Sequence, residues 1–185
     1  LIQNVGGVVG DNIGVIDHGR AAGAITVISG VSYARNIGGV VGWNEQEVYN
    51  STASGQIHVT GNNSSVYSVG GVAGYSGSYD TMSGGAGIVV QDSLASGDVL
   101  VETVDGNGIN EIGGQAGHNG GTFSLSGILS PVNGGMVTVK ATTGKGAATY
   151  ISNIGGVLGN DAGTTSLLGD GQVYTAGPVV VNNLS

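Results

Sequence analysis

The chain has 185 residues, of which 39 are glycine, 9% are charged and none is cysteine. The lack of cysteine excludes disulfides and thiolate metal sites. So much glycine disfavours a helical bundle, because each glycine inside a helix costs about 1 kcal/mol relative to alanine. Twelve acidic residues outnumber four basic ones, and the formal charge of −8 argues against nucleic acid as a partner. No apolar run of about 20 residues is present, so we expect no insertion into a membrane.

One glycine-rich motif recurs five times, beginning with Asn-Val-Gly-Gly-Val-Val-Gly at residues 4–10. The paired glycines that mark the copies are Gly6 and Gly7, Gly38 and Gly39, Gly70 and Gly71, Gly113 and Gly114, and Gly155 and Gly156. Their spacing of 32, 32, 43 and 42 residues is typical of solenoid repeats. We therefore divide a single domain over residues 1–185 into repeats near 4–35, 36–67, 68–110, 111–152 and 153–185.

Two further segments follow the motif within a repeat. One alternates between inward and outward residues, as in Ile57-His58-Val59, which is the period of a half-buried strand. The other reads Ser-x-Ala-x-Gly at residues 51–55 and 93–97. A single repeat of this kind cannot bury its apolar side alone, whereas stacked copies form a continuous core. The sequence thus predicts an all-β, parallel β-solenoid of about five coils, with about three short strands per coil and few or no helices.

Stacking in register places like residues in columns. One polar column follows the motif, and it contains Asn12, Asn44, Ser76, Asn119 and Asp161. A second column precedes the glycine pair, and it contains Asn4, Asn36, Ser68, Glu111 and Asn153. Such residues tolerate turn geometry and bond to nearby backbone, and stacked Asn side chains bond to one another. We expect both columns to be structural turn ladders and not catalytic residues.

The Gly-Gly-Val-Val-Gly run leaves two arrangements open. Strict alternation places one valine outside, in a flat strip that would favour lateral contact with another molecule. A break of alternation at the glycine pair buries both valines. A phosphate-binding loop is not expected, since no helical pattern follows the run.

Candidate chemical groups are sparse. His18, His58 and His118 are scattered over different repeats, and the acids are dispersed, so we predict no catalytic residue, cofactor or metal site. A β-helix carbohydrate-active enzyme is the weakest alternative. Trp43 and Tyr75 fall in one column, and together with Tyr79 they are candidate contacts for a sugar ring or a protein partner.

These patterns resemble the GLUG-type repeat of large secreted bacterial surface proteins, including adhesins. Residues 37–59 carry the whole pattern, from Ile37-Gly38-Gly39-Val40-Val41-Gly42-Trp43-Asn44 to Ile57-His58-Val59. Repeats four and five lose the middle segment, and Gln115 stands in repeat four where the other repeats have valine. The resemblance implies an extracellular or cell-surface structural module without catalytic residues to transfer.

The termini fall in mid-repeat, so we expect coils without polar caps at both ends. Uncapped coils expose strand edges that pair readily with another chain. The candidate end-to-end interface consists of Leu1, Ile2, Val179, Val181 and Leu184. One hypothesis is a filament built head to tail by copies of this chain or by adjoining repeats of the same chain. The alternative is a fragment of an adhesin stalk that binds glycans or other surface proteins.

Overall fold

The computed structural model describes residues 1–30, 32–78, 87–106, 108–125, 132–142, 150–166 and 174–184. The regular structure in these ranges is entirely β-strand, and every strand pairing is parallel. The chain follows the same path five times, so the predicted parallel β-solenoid of five coils is confirmed.

The coils stack into four five-stranded sheets and two shorter ones, which we name A to F. Sheet A contains β1 (Ile2–Gly6), β6 (Tyr33–Gly38), β11 (Ser65–Gly70), β16 (Gly108–Gly113) and β21 (Tyr150–Gly155). Sheet B contains β2 (Val9–Asn12), β7 (Val41–Asn44), β12 (Ala73–Ser76), β17 (Ala116–Asn119) and β22 (Leu158–Asp161). Sheet C contains β3 (Val15–Asp17), β8 (Glu47–Tyr49), β13 (Val89–Gln91), β18 (Thr122–Ser124) and β23 (Thr164–Ser166).

The remaining strands complete each coil. Sheet D contains β4 (Arg20–Ala21), β9 (Thr52–Ala53) and β14 (Leu94–Ala95). Sheet E contains β5 (Ile25–Ser29), β10 (Ile57–Asn62), β15 (Val99–Val104), β20 (Val137–Thr142) and β25 (Val179–Leu184). Sheet F contains β19 (Val132–Asn133) and β24 (Tyr174–Thr175). Among the described residues, sheet D therefore ends with the third coil, and sheet F joins the fourth coil to the fifth.

The first glycines of the motif form a single file along sheet A. Gly6 pairs with Gly38, Gly38 with Gly70, Gly70 with Gly113, and Gly113 with Gly155. The sequence spacing of 32, 32, 43 and 42 residues is thus one coil in each case.

The described residues contain five strands in each coil, and the prediction of about three was wrong. The motif breaks into two strands at its glycine pair, so that β6 ends at Gly38 and β7 begins at Val41. The middle segment breaks as well, because Asn50 takes a left-handed φ of 47° between β8 and β9. Such a residue turns the chain and ends a regular strand.

Two separate apolar cores run up the solenoid. One lies between sheets A and E and contains Ile37, Val59 and Val101; the other lies among sheets B, C and D and contains Val41, Val48 and Phe123. The glycine pair faces the alanine column of sheet D, which belongs to the second core: a Cβ added to Gly39 would lie 2.6 Å from the Ala53 Cβ. The Ser-x-Ala-x-Gly segment therefore needs a small residue here.

The alternation of inward and outward residues breaks at the glycine pair, so the arrangement that buries both valines is the one observed. Val40 and Val41 are adjacent in sequence, yet both have no exposed surface. The same holds one coil later for Val72 and Ala73. In these coils the motif therefore does not present a flat strip of glycine and valine to solvent.

Candidate assembly interface and side-chain ladders

The motif glycines are required for space and not for their backbone angles. Among the described glycines only Gly87 has a positive φ. A Cβ added to Gly38 would lie 2.0 Å from the carbonyl oxygen three residues later, and one added to Gly39 would lie 2.0 Å from the carbonyl oxygen of Gly71 in the next coil. The backbone itself blocks a larger residue, which explains why the pair recurs in every coil.

The column before the glycine pair holds residues with a left-handed backbone. The φ angles are 55° at Asn4, 55° at Asn36, 51° at Ser68, 61° at Glu111 and 53° at Asn153. Asn favours this conformation among residues other than glycine. This conformation interrupts the alternation of inward and outward residues along the strand. Ala34 and Ile37 therefore both point into the core.

The polar turn ladder is joined by hydrogen bonds that all run in one direction. The Asn12 Nδ2 donates to the Asn44 Oδ1 at 2.8 Å, and the Asn44 Nδ2 donates to the Ser76 Oγ at 3.2 Å. Further up, the Asn119 Nδ2 donates to the Asp161 Oδ1 at 2.8 Å. Each of the three Asn side chains thus donates to the coil that follows it in sequence.

The direction of this ladder is fixed by the turns. The backbone N–H two residues on donates to the side-chain oxygen in four coils: Gly14 to Asn12, Gln46 to Asn44, Gly121 to Asn119 and Gly163 to Asp161. Turning an amide around would point its NH2 group at this N–H. The oxygen therefore stays in the turn, and the NH2 group faces the next coil.

A serine column supports the middle segment. The Gly19 N–H donates to the Ser51 Oγ at 3.0 Å, and the Ser51 hydroxyl donates to the Tyr49 carbonyl at 2.7 Å. One coil later, the Ser51 N–H donates to the Ser93 Oγ at 3.0 Å. The serine of the Ser-x-Ala-x-Gly segment therefore joins consecutive coils where Asn50 and its equivalents interrupt the strand.

Gln115 makes hydrogen bonds to the edge of a third-coil strand, where no strand pairs among the described residues. Its Oε1 accepts the Ala95 N–H at 2.7 Å, and its Nε2 donates to the Ala95 carbonyl at 2.7 Å. Ala95 lies in β14, the last strand of sheet D, whose edge no strand of the fourth coil covers among the described residues. Gln115 has no exposed surface. Its side-chain amide thus acts as a peptide group and satisfies a buried strand edge.

The predicted contact aromatics lie in a mixed column along sheet B. The ring of Tyr75 stacks on His118 at 4.4 Å between centroids, and Trp43 meets Tyr75 edge to face at 5.7 Å. The Trp43 Nε1–H donates to the Gly77 carbonyl at 3.0 Å. One face of Tyr75 is thus covered by His118, which leaves less ring surface for a sugar than the sequence suggested. Tyr79 lies outside the described residues.

A polar cluster adjoins this column. Glu111 accepts hydrogen bonds from the Ser68 hydroxyl and from the Asn160 Nδ2 at 3.0 Å, and it lies 3.3 Å from the His118 Nδ1. Burial raises the pKa of Glu111, but the hydrogen bonds from His118, Ser68 and Asn160 outweigh burial and hold the pKa below its ordinary value. Ser68 bonds to the carboxylate and not to the imidazole, so this is not the Ser–His relay of a hydrolase.

The outer face of sheet E carries a short charged ladder. The Lys140 Nζ lies 2.9 Å from one Glu102 oxygen, and the His58 Nε2 lies 2.9 Å from the other. The hydrogen bond from Lys140 lowers the pKa of Glu102 most, with a further contribution from His58. These groups are partly exposed and pair with each other, which is typical of charged residues on a solvated outer face.

The terminal coils present their strands as sheet edges. In sheets A, B, C and E, the first-coil strands β1, β2, β3 and β5 lie at one end, and the fifth-coil strands β21, β22, β23 and β25 lie at the other. In β25, Val179 and Val181 are 43% and 46% exposed, although Val137 and Val139 beneath them have no exposed surface. Among the other predicted interface residues, Leu1 and Leu184 are exposed and Ile2 is half-buried.

Within the described ranges, no group of three or more His, Asp or Glu side chains is arranged to hold a metal ion. The same ranges contain no helix of the length and hydropathy needed to cross a bilayer.

Comparison with known families matches residues 33–60 to the model described as the GLUG motif. The second coil is a GLUG repeat. The matched residues begin with β6 and end within β10, so the GLUG match covers one coil of the solenoid. The motif is an architectural repeat and not an enzyme family. No curated protein and no solved structure gives a significant match to the chain.

Sequence reasoning missed two features of the solenoid. The partnership of Gln115 with Ala95 was not expected, although repeat four shows both the substitution of valine and the loss of the middle segment. The loss of valine and of the middle segment in the same repeat was the signal from which this contact could have been predicted. The stacking of His118 on Tyr75 was also not predicted, although His118 follows its glycine motif at the same position as Trp43 and Tyr75.

Proposed function

We propose that this chain is a structural module of an extracellular or cell-surface assembly, extended end to end by coils that pair with its terminal edges. The added coils come from the same polypeptide or from another copy. The observation that carries the proposal is the exposure of Val179 and Val181, which occupy a core column yet remain open to solvent on the fifth coil. A further coil would bury them as Val137 and Val139 are buried.

Two properties of the solenoid support this proposal. The unpaired N–H and C=O groups of a terminal coil are a ready template for another parallel strand. A contact that joins the last coil of one copy to the first coil of the next is head to tail, and its repetition gives an open filament. The resemblance of the motif to repeats of secreted surface proteins supports the extracellular location.

The experiment is to follow particle size against concentration by light scattering and to image the particles by negative-stain electron microscopy. We expect filaments of constant width. Val181→Lys should block growth, because it places a charge in the core column of the new interface. Val180→Lys is the matched control: it adds the same charge to the neighbouring, outward-facing residue of β25, which is 38% exposed.

Circular dichroism checks that both variants keep their strand content. Filaments that form equally in the Val181→Lys and Val180→Lys variants would show that the end coils are not the contact. A wild-type chain that stays monomeric at all concentrations would remove self-assembly from the proposal.

A further inference from the structure

The outer face of sheet A carries a positive charge that no acidic side chain neutralises. The five strands of this sheet contain a single basic residue, Arg35 in β6, and a single acidic residue, Glu111 in β16. The Glu111 carboxylate contacts Ser68, His118 and Asn160, so it belongs to the polar cluster beside sheet B. In the part of the chain that the structure describes, no carboxylate lies within ion-pair distance of the Arg35 guanidinium.

Neighbouring side chains hold this guanidinium in place. Its Cζ lies 5.3 Å from the centre of the Tyr33 ring, and its Nη2 donates to the Gln3 Oε1 at 3.0 Å. The Arg35 Nε is buried and has no hydrogen-bond partner. The guanidinium has five N–H donors, and Gln3 is the acceptor for one of them among the described residues. The two Nη atoms therefore keep free donors, which is the fork that a carboxylate binds through two parallel hydrogen bonds.

An exposed aromatic ring adjoins Arg35 on the next coil. Tyr67 of β11 is the register partner of Arg35, so the two residues are neighbours in one outward column, about 4.8 Å apart along the solenoid axis. Tyr67 is 36% exposed, which leaves ring surface open to a ligand. The next two residues of the column, Asn110 and Ser152, are polar and uncharged. The column thus places an amphipathic ring beside a fixed cation.

We propose that Arg35 and Tyr67 form a binding site for a carboxylated sugar, such as a uronic acid unit of a polysaccharide. The carboxylate accepts hydrogen bonds from the Nη atoms of Arg35, and the C–H face of the sugar ring lies on the Tyr67 ring. The carboxyl group of a uronic acid is attached directly to its ring, so one sugar unit reaches both residues on adjacent strands. A carboxylate on a flexible peptide would use Arg35 alone, and a neutral sugar would use Tyr67 alone.

This site is separate from the ends of the solenoid. Arg35 and Tyr67 lie in the second and third coils, and the structure describes a coil on either side of them. The inference therefore does not depend on end-to-end assembly, and the two proposals can fail independently.

The test measures the binding of methyl β-D-glucuronide, methyl β-D-glucoside and acetate by saturation-transfer NMR. We expect the wild-type chain to bind the glucuronide about tenfold or more tightly than either other probe, because only the glucuronide makes both contacts. Arg35→Gln should lower the affinity for the glucuronide by about tenfold or more. Arg20→Gln is the matched control, since it removes the same charge from an exposed residue of β4 and should leave the affinity unchanged.

Two further variants separate the contributions of charge, fork and ring. Arg35→Lys keeps the charge but loses the planar fork, so it should bind the glucuronide more weakly than the wild type. Tyr67→Ser should weaken binding of the glucuronide but not of acetate. Circular dichroism checks that each variant keeps its strand content.

The inference is wrong if the wild type does not bind the glucuronide, if it binds the glucoside equally well, or if Arg35→Gln binds the glucuronide as Arg20→Gln does. Acetate that binds as tightly as the glucuronide, with no effect of Tyr67→Ser, would indicate a carboxylate site without recognition of a sugar and would also overturn the assignment.

Discussion

Replacing Gln115 by valine is the most informative single change for the stability of the solenoid. Valine is the residue that the motif has at this position in the other four repeats, so a comparison of repeats predicts a neutral or stabilising effect. The structure predicts the opposite. The Gln115 side chain makes two hydrogen bonds of 2.7 Å to Ala95, and both residues are almost completely buried.

The size of the effect follows from these two bonds. Valine would leave the Ala95 N–H and carbonyl without partners, and a buried polar group left unsatisfied costs about 1–3 kcal/mol. We therefore expect Gln115→Val to lower the free energy of unfolding by about 2–5 kcal/mol, with the relaxation of β14 reducing the upper value.

Urea unfolding monitored by circular dichroism measures the stability, and hydrogen exchange locates the change. The Ala95 amide should lose protection, whereas the Ser96 amide should keep it, since the Ser96 N–H donates to the Ala53 carbonyl in the coil below. Gln46→Ala, which truncates an exposed glutamine, is the control and should change stability by less than about 0.5 kcal/mol. A Gln115→Val variant as stable as the wild type, with the Ala95 amide still protected, would refute the role assigned to Gln115.

Three further changes test the core, the glycine file and the polar cluster. Val59→Asp places a carboxylate at a position without exposed surface, and it should cost several kcal/mol and abolish the strand signal in circular dichroism. Gly39→Ala should lower the melting temperature by several degrees because its Cβ would lie 2.0 Å from a backbone oxygen, whereas Gly23→Ala, with open space around it, should leave the melting temperature nearly unchanged. Because the pKa of Glu111 is lowered by folding, its carboxylate stabilises the fold above the unfolded-state pKa and loses this contribution as the pH falls through the folded-state pKa. Glu111→Gln should therefore reduce stability at pH 7 by about 1 kcal/mol and weaken the fall in melting temperature on acidification, as measured by thermal scans from pH 7 to pH 3.

The repeat carried enough information to predict the fold class and the register of the coils. Glycine pairs at a fixed place in each repeat indicate a position that tolerates no side chain, and the structure aligns Gly6, Gly38 and their equivalents in one file. The inward valines of sheet E were identified in the same way, because a period of two is intrinsic to a strand. Residues that repeat along the chain repeat in space, so one local rule predicts five positions at a time.

The strand count and the two-core cross-section did not follow from these rules. Where a strand breaks depends on single left-handed residues such as Asn50, and side-chain type alone does not say that Asn takes this conformation. The partner of Gln115 depends on a strand that ends in the previous coil, some 20 residues earlier. Those contacts join unlike positions of neighbouring coils, and a comparison of like positions does not detect them.

By itself, then, the amino-acid sequence determined the periodic features: the coil, its register and the columns of valine, glycine and asparagine. Only the tertiary structure decided the features that break the period, which are the amide of Gln115 on the open edge of β14 and the carboxylate of Asp161 at the end of a ladder of donors. The physical reason is that hydrogen bonding has a direction. A column of polar residues is visible in sequence, but which atom donates to which coil is fixed by the turn in which each side chain sits.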